Sequence, residues 1–147
     1  MDMTGEERIS ASRDAVWKVL NDPDILKACI PGCENLDWIS DTELEATVAI
    51  KLGPVKARFS GKVTLSNLNP PLSYTISGEG KGGIAGFAKG GCDVTLIEDG
   101  NETVLAYVIN ADVGGKIAQL GGWLVSSWAK KLANRFFENL GQAAAAA

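Results

Sequence analysis

The most regular feature of the chain is an alternation of apolar and polar residues through its middle. Apolar side chains occupy every second position from Leu44 to Leu52. The alternation breaks at Gly53-Pro54 and resumes from Ala57 to Leu65. A period of two is typical of antiparallel strands that bury one face and expose the other. The pattern therefore predicts a two-stranded hairpin at the centre of a larger antiparallel sheet.

Weaker patterns extend this sheet on both sides. A short strand is predicted near Thr4–Ile9, and another starts at Leu72 after a proline-rich turn. A final hairpin turns at Asp99-Gly100, a dipeptide that favours tight turns, and its second strand ends near Ile109. We therefore expect about six to seven strands in total.

Helices are predicted on either side of the main run of strands. Ser12 and Asp22 are suitable N-caps for two short helices, and Pro23 suits a first helical position. From Lys116 to Leu140 the apolar period changes to that of a helix, which would be about 37 Å long. The predicted order is β-α-α-β6-α, an α+β fold in which a long helix packs against a curved antiparallel sheet.

Small residues are frequent at positions that the alternation places on the inner face of the sheet. They either let the sheet and the helix pack closely or leave an apolar cavity between them, and we predict the cavity. The small inner residues are Ala46, Ala57, Gly61, Gly78, Ala88, Gly90 and Cys92. Gly121 and Gly122 add two small residues to the predicted helix. The candidate lining residues are Val48, Ile50, Phe59, Tyr74, Phe87, Tyr107, Ile117, Leu120, Gly121, Leu124 and Trp128.

The segment from Gly78 to Gly90 is rich in glycine and formally contains a G-x-G-x-x-G motif. That motif binds dinucleotides only when a helix begins directly after the glycines, and here a loop and a strand follow. We interpret the segment either as two bent strands joined by a hairpin or as a mobile lip at the cavity mouth. In the second interpretation Phe87 is the apolar tip of the lip, with Lys81 and Lys89 beside it.

Two aromatic residues, Trp123 and Phe137, fall on the polar side of the predicted long helix, in line with Lys130. Exposed aromatic side chains beside a lysine suit contact with a partner or with a membrane surface. Cover by a neighbouring loop or by a second copy of the chain is the alternative.

Composition narrows the possible functions. The 147 residues include no histidine, which excludes histidine-based catalytic systems and imidazole metal ligands. With 14 basic and 18 acidic residues, the net charge of -4 argues against nucleic acid as a partner. No secretion signal is recognisable, and the cysteines are odd in number, so we expect a cytoplasmic protein. We predict one domain over 1–140 and an alanine-rich tail over 141–147.

Five segments carry a recognisable pattern: 16–23, 26–34, 52–57, the glycine string of 78–90, and 113–121. Together they resemble the CoxG family of carbon monoxide dehydrogenase subunits, within the START-like helix-grip (SRPBCC) superfamily. This resemblance implies the helix-grip fold, with a ligand cavity between the long helix and the sheet. It also implies a role beside molybdenum-containing carbon monoxide dehydrogenase, in its membrane recruitment or its maturation. Some members carry a C-terminal extension that reaches the membrane, whereas this sequence ends in alanines.

These observations lead to one main functional hypothesis and two alternatives. The main hypothesis is a non-catalytic carrier without metal or covalent cofactor, which binds a lipid or an isoprenoid quinone such as menaquinone. Tyr74 or Tyr107 would hydrogen-bond the quinone ring. The carrier would link carbon monoxide dehydrogenase, or a related molybdenum hydroxylase, to the inner face of the cell membrane. The alternatives are a cyclase or hydrolase that uses carboxylates and tyrosines, and an assembly adaptor with a vestigial pocket.

Overall fold

The computed structural model describes residues 1–146, and its central feature is a seven-stranded antiparallel sheet. The strands pair in the order β1-β7-β6-β5-β4-β3-β2, so β1 and β2 form the edges. This arrangement confirms the predicted antiparallel sheet and the α+β class. The strands are β1 (Asp2–Ile9), β2 (Cys33–Trp38), β3 (Glu43–Leu52), β4 (Val55–Asn69), β5 (Ser73–Lys81), β6 (Phe87–Asp99) and β7 (Glu102–Gly114).

Two short helices, α1 (Arg13–Leu20) and α2 (Pro23–Cys29), connect β1 to β2. Both predicted N-caps are confirmed. The Ser12 hydroxyl accepts a hydrogen bond from the Ala15 amide at 3.2 Å, and the Asp22 carboxylate accepts one from the Asp24 amide at 3.0 Å. These bonds satisfy amides that have no partner inside a first helical turn.

The long helix α3 (Gly122–Ala146) begins later than the sequence predicted. The expected start at Lys116 is wrong, because residues Gly115–Leu120 form a separate 3-10 helix. Gly121 then takes a φ of +97°, which an α-helix does not allow, so the chain changes direction before α3 begins. The single helical face that the sequence predicted is therefore interrupted at Gly121. Leu124 and Trp128 lie on α3, and they do not share a helical face with Ile117, Leu120 and Gly121.

The C-terminal end of α3 includes most of the predicted alanine-rich tail. The predicted tail from residue 141 is helical as far as Ala146, and Ala147 lies outside the described residues. Ala144 is only 1% exposed, and Gly141 lies against Ile9 and Glu7 of β1. Small residues at this end let α3 approach the edge strand closely.

The buried apolar residues form two separate clusters. The large cluster joins α1, the middle of the sheet and the C-terminal half of α3, with Leu105 and Leu140 fully buried at its centre. The small cluster consists of Leu52, Phe59, Ala85, Ile117 and Val125, with partly buried side chains around them. The core therefore has two parts, with the small cluster at the start of α3 and the large cluster at its C-terminal half.

Candidate ligand-binding site

The helix α3 does not pack uniformly on the sheet. Its backbone approaches β1, α1 and α2 closely and stands off from the central strands β3 to β6. Apolar side chains on the inner face of β3 to β5 and on α3 therefore remain partly accessible. They are Val48, Ile50, Val63, Ile76, Trp128 and Phe136. The helix α3 and the sheet are therefore incompletely packed against each other in the region between the two clusters.

A cavity of about 220 Å³ opens between the end of β7 and the start of α3. Inward-facing residues of β7 form one wall, and the 3-10 helix and the first turns of α3 form the other. Small side chains keep this volume open, since bulky ones would fill it. The lining residues are Met1, Ala111, Asp112, Val113, Ala118, Gly122, Val125 and Ser126.

A second concavity, of about 480 Å³, lies on the outer face of the sheet, opposite α3. Four charged residues of its lining, Lys62, Glu79, Lys89 and Asp112, follow one another directly across β4, β5, β6 and β7. Opposite charges on adjacent strands stabilise a sheet face. This groove is therefore a different feature from the apolar cavity that the sequence predicted.

The predicted lining residues fall into two groups. Six lie together in or around the small cluster: Ile50, Phe59, Ile117, Leu120, Leu124 and Trp128. Tyr74 and Tyr107 instead belong to the large cluster, and Val48 lies on the inner face opposite Phe59. Gly121 is exposed, and an added Cβ there would meet nothing within 4 Å, so it does not line the space between the layers.

The Tyr74 hydroxyl is one of two buried side-chain polar atoms without a hydrogen-bond partner in the described residues, the other being Arg13 Nε. Tyr74 is 2% exposed, and its ring meets the Trp17 ring edge-on, with the ring centroids 5.1 Å apart. Burial, and to a smaller extent the neighbouring Cys92, raises the pKa of Tyr74. Burial, with a smaller effect of Asp93, raises the pKa of Cys92 to about 11. Both groups are therefore neutral hydrogen-bond donors at ordinary pH.

Tyr107 occupies a different environment on β7. Its ring stacks on Phe137 of α3 with centroids 4.1 Å apart, and it covers Gly5 of β1. Burial raises the pKa of Tyr107, with smaller effects of Cys92 and Glu7. Val94 of β6 lies between the two tyrosines in the register of the sheet, and the Cys92 thiol is a neighbour of both tyrosines from the next inward position along β6.

The predicted lip is a hairpin loop that links β5 and β6 through a short 3-10 helix, Gly83–Ala85. Its apolar tip is Ile84, which is 85% exposed, rather than Phe87. Phe87 is 40% exposed, and its ring lies over Gly114. The exposed Lys81 and Lys89 flank the loop on β5 and β6, as expected.

Of the three α3 residues that were predicted to contact a partner or a membrane, two are exposed. Trp123 is 82% exposed, and Lys130 is exposed as well. Phe137, by contrast, is 4% exposed. The helical wheel assumed that α3 packs on one side only, whereas α3 contacts β1, α1 and α2. Phe137 lies in the large cluster, where its ring stacks on Tyr107 of β7.

Sequence reasoning missed the residues that line the 220 Å³ cavity. The inner positions of β7 continue from Leu105 through Tyr107 and Ile109 to Ala111 and Val113. Extending the alternation past Ile109 would have placed the last two on the inner face. The cavity residues on the first turns of α3 could not be found from a sequence pattern, because their position depends on where that helix begins.

Neither a metal centre nor a membrane span is found within residues 1–146. This part of the chain contains no group of three or more Cys, Asp and Glu side chains placed to hold a metal ion. None of its helices combines the length and the apolar character needed to cross a membrane.

Comparison with known structures identifies the fold. The chain has the helix-grip fold of a START superfamily protein from Mycobacterium smegmatis, with a TM-score of 0.67 at 13% identity over 96% of this chain and 97% of that one. An aromatase/cyclase from Streptomyces sp. R1128 shares the fold, with a TM-score of 0.71 at 12% identity over 98% and 93% of the two chains. At these identities the likeness concerns the fold alone.

The family follows from the sequence comparison. The model of the CoxG family of carbon monoxide dehydrogenase subunits matches residues 5–145, so the chain belongs to that family. A conserved protein from Geobacillus kaustophilus is also similar, with 29% identity and a TM-score of 0.92 over 99% of this chain and 95% of that one. No curated protein sequence matches significantly.

Proposed function

We propose that this protein binds a hydrophobic small molecule between α3 and the sheet and carries it as a non-catalytic accessory protein. Membership of the CoxG family and the START-like fold support this class of function. The partner in this proposal is a molybdenum-containing carbon monoxide dehydrogenase. The cargo is an isoprenoid quinone, which would take the electrons of that oxidation to the membrane.

The incomplete closure between α3 and the central strands is the observation that carries the proposal. Apolar side chains that face another layer and still remain accessible, such as Val48 and Trp128, lose the hydrophobic stabilisation of full burial. An apolar tail between the layers would restore it.

The polar end of the ligand would meet the Tyr74 hydroxyl. A buried donor without a partner costs free energy, and an acceptor on the ligand would recover it. Because its pKa is raised, Tyr74 would donate as a neutral phenol to a quinone carbonyl. Cys92 is a second neutral donor nearby. These groups favour an uncharged acceptor over a carboxylate or a phosphate.

A matched pair of leucine substitutions on β5 tests the site. Gly78 faces inward, and a Cβ there would meet its nearest atoms at ordinary distances of 3.7 and 3.8 Å, so Gly78→Leu extends a side chain into the proposed space. The control Ser77→Leu adds the same group to the outer face of the same strand. Titration with a short-chain menaquinone should show affinity reduced by roughly tenfold or more for Gly78→Leu and unchanged for Ser77→Leu.

Native mass spectrometry of the protein purified from its own host provides the second measurement. A bound quinone or lipid, absent from Gly78→Leu, is the expected result. A ligand-free protein in which both variants behave like the wild type would contradict the proposal. Circular dichroism and urea unfolding establish that Gly78→Leu is folded, so a loss of binding can be read as a loss of the site.

The same variant separates the carrier from the adaptor with a vestigial pocket. If Gly78→Leu still binds carbon monoxide dehydrogenase in a pull-down but no longer supports electron transfer to the membrane, the carrier is favoured. If it supports transfer fully, the adaptor is favoured. The enzyme alternative would instead require turnover of a cavity ligand that depends on Tyr74, Tyr107, Cys92 or the partly buried Glu7.

A further inference from the structure

Three segments meet at one end of the molecule, which we call the loop end. They are the β3–β4 turn (50–57), the β5–β6 hairpin (80–88) and the β7–α3 junction (113–124). Each contributes to the small cluster, through Leu52, Ala85 and Ile117 respectively. The backbone of Gly86 also contacts Gly114 and Gly115 directly. The loop end is therefore one continuous packed surface rather than three independent loops.

Two large apolar side chains project from the loop end. Ile84 is 85% exposed and Trp123 is 82% exposed, the highest values among the exposed large apolar residues. The glycines beside them, Gly83 and Gly122, have open space around them. Both apolar residues lie within the first turn of a helix, so their side chains are held outward by ordered backbone.

The charge of the loop end is opposite to that of the whole protein. Its three segments contain Lys51, Lys56, Lys81 and Lys116, all exposed, and no aspartate or glutamate. The opposite end of the sheet carries acidic residues in and beside the β2–β3 and β6–β7 turns, namely Asp37, Asp41, Glu43, Glu98, Asp99 and Glu102. Three cations pair with four of them, Arg8 with Asp99 and Glu102, Arg13 with Glu98 and Lys62 with Glu43, so this end keeps an excess of negative charge. A protein with a net charge of -4 thus presents a basic end and an acidic end.

We propose that the loop end docks on an anionic lipid bilayer. Ile84 and Trp123 insert at the headgroup level, where tryptophan is favoured, and the four lysines lie over the anionic headgroups. The acidic end then points away from the bilayer, which avoids repulsion. An apolar surface with protruding tips and a basic rim is complementary to a lipid interface.

Docking in this orientation also places the candidate cavity at the bilayer. Gly122 lines the 220 Å³ cavity, and Trp123 is the next residue of α3. A hydrophobic ligand could pass between the cavity and the bilayer without crossing water. This consequence rests on the proposed carrier function, whereas the docking itself rests on the exposed side chains and the charges.

Vesicle flotation tests the docking with the full chain and no added ligand. We expect binding to vesicles of equal parts phosphatidylcholine and phosphatidylglycerol and much weaker binding to phosphatidylcholine alone. Lys51→Gln with Lys56→Gln should weaken partitioning roughly 25-fold, at about fivefold per lysine. Trp123→Ser should weaken it about tenfold.

The controls Lys27→Gln and Ile97→Ser change an exposed lysine and an exposed apolar residue outside the loop end, and should bind as the wild type does.

The outcomes separate this proposal from the carrier function. If the wild type binds both vesicles equally, or if the loop-end and control variants behave alike, the docking surface is wrong. Binding to purified carbon monoxide dehydrogenase that is lost in Trp123→Ser, without any vesicle binding, would assign the loop end to a protein partner and also overturn the proposal. Quinone titration of the same variants without vesicles reports on the carrier function alone, and it should match the wild type.

Discussion

Tyr107 owes its position to a glycine on the neighbouring strand. Gly5 and Tyr107 are paired across β1 and β7, and the ring lies directly over the glycine. The other face of the ring stacks on Phe137, so the ring is held on both sides. An aromatic ring over a glycine on an adjacent strand buries backbone that would otherwise be exposed at the edge.

Gly5→Ala is therefore expected to lower the free energy of unfolding by about 1–3 kcal/mol, because the new methyl group would overlap the Tyr107 ring. Gly91→Ala is the matched control on β6. Its Cβ would meet the nearest atom at 3.6 Å, and we expect it to be neutral or slightly stabilising. Urea unfolding of the two variants measures the difference. Equal stabilities would mean that the Tyr107 ring is free to move.

At the scale of elements, glycines determine how the β5–β6 hairpin meets the start of the 3-10 helix that precedes α3. Gly86 has a φ of +116°, and an added Cβ would overlap the Gly114 carbonyl. Gly115, with a φ of +81°, lies against Gly86 from the other side. The Gly82 amide donates to the Gly86 carbonyl at 2.8 Å and closes the loop. Only glycine permits two backbones to approach so closely.

We expect Gly86→Ala to destabilise the protein by about 2 kcal/mol or more, since it adds a backbone overlap to an unfavourable φ. Gly83→Ala in the same hairpin has a φ of +60° and free space around the new methyl group, so it should cost only about 1 kcal/mol. The urea midpoints of the two variants provide the test. A Gly83 variant as unstable as the Gly86 variant would show that backbone strain, rather than the close approach, dominates.

For the whole molecule, the division of the core into two clusters predicts unequal local stability. The small cluster supports the loop end with few fully buried residues, while the large cluster contains the fully buried Leu105 and Leu140. Regions with less buried apolar surface open at lower free energy. The part that opens first is also the part that borders the 220 Å³ cavity.

Hydrogen exchange followed by mass spectrometry should therefore show 82–86 and 115–125 exchanging at least roughly tenfold faster than the middle of β7. Saturation with a short-chain menaquinone should slow exchange in these two segments. The β6–β7 turn, at the opposite end, is the internal control and should not change. Uniform exchange along the chain would show that the two clusters open as one unit.

Local sequence patterns were sufficient to predict the antiparallel sheet and the two N-caps, although they placed no strand at Cys33–Trp38. These features depend on short-range periodicity and on hydrogen bonds between near neighbours. The family was predicted from the resemblance of several longer segments, and the family model confirms it. Where α3 begins depended on the folded chain, because Gly121 leaves the helical region of φ only in the context of the residues around it. The burial of Phe137 and the exposure of Trp123 also required the fold, since surrounding elements cover one part of α3 and not the other. The basic loop end likewise exists only after folding, which brings lysines from three distant segments to the same end of the molecule.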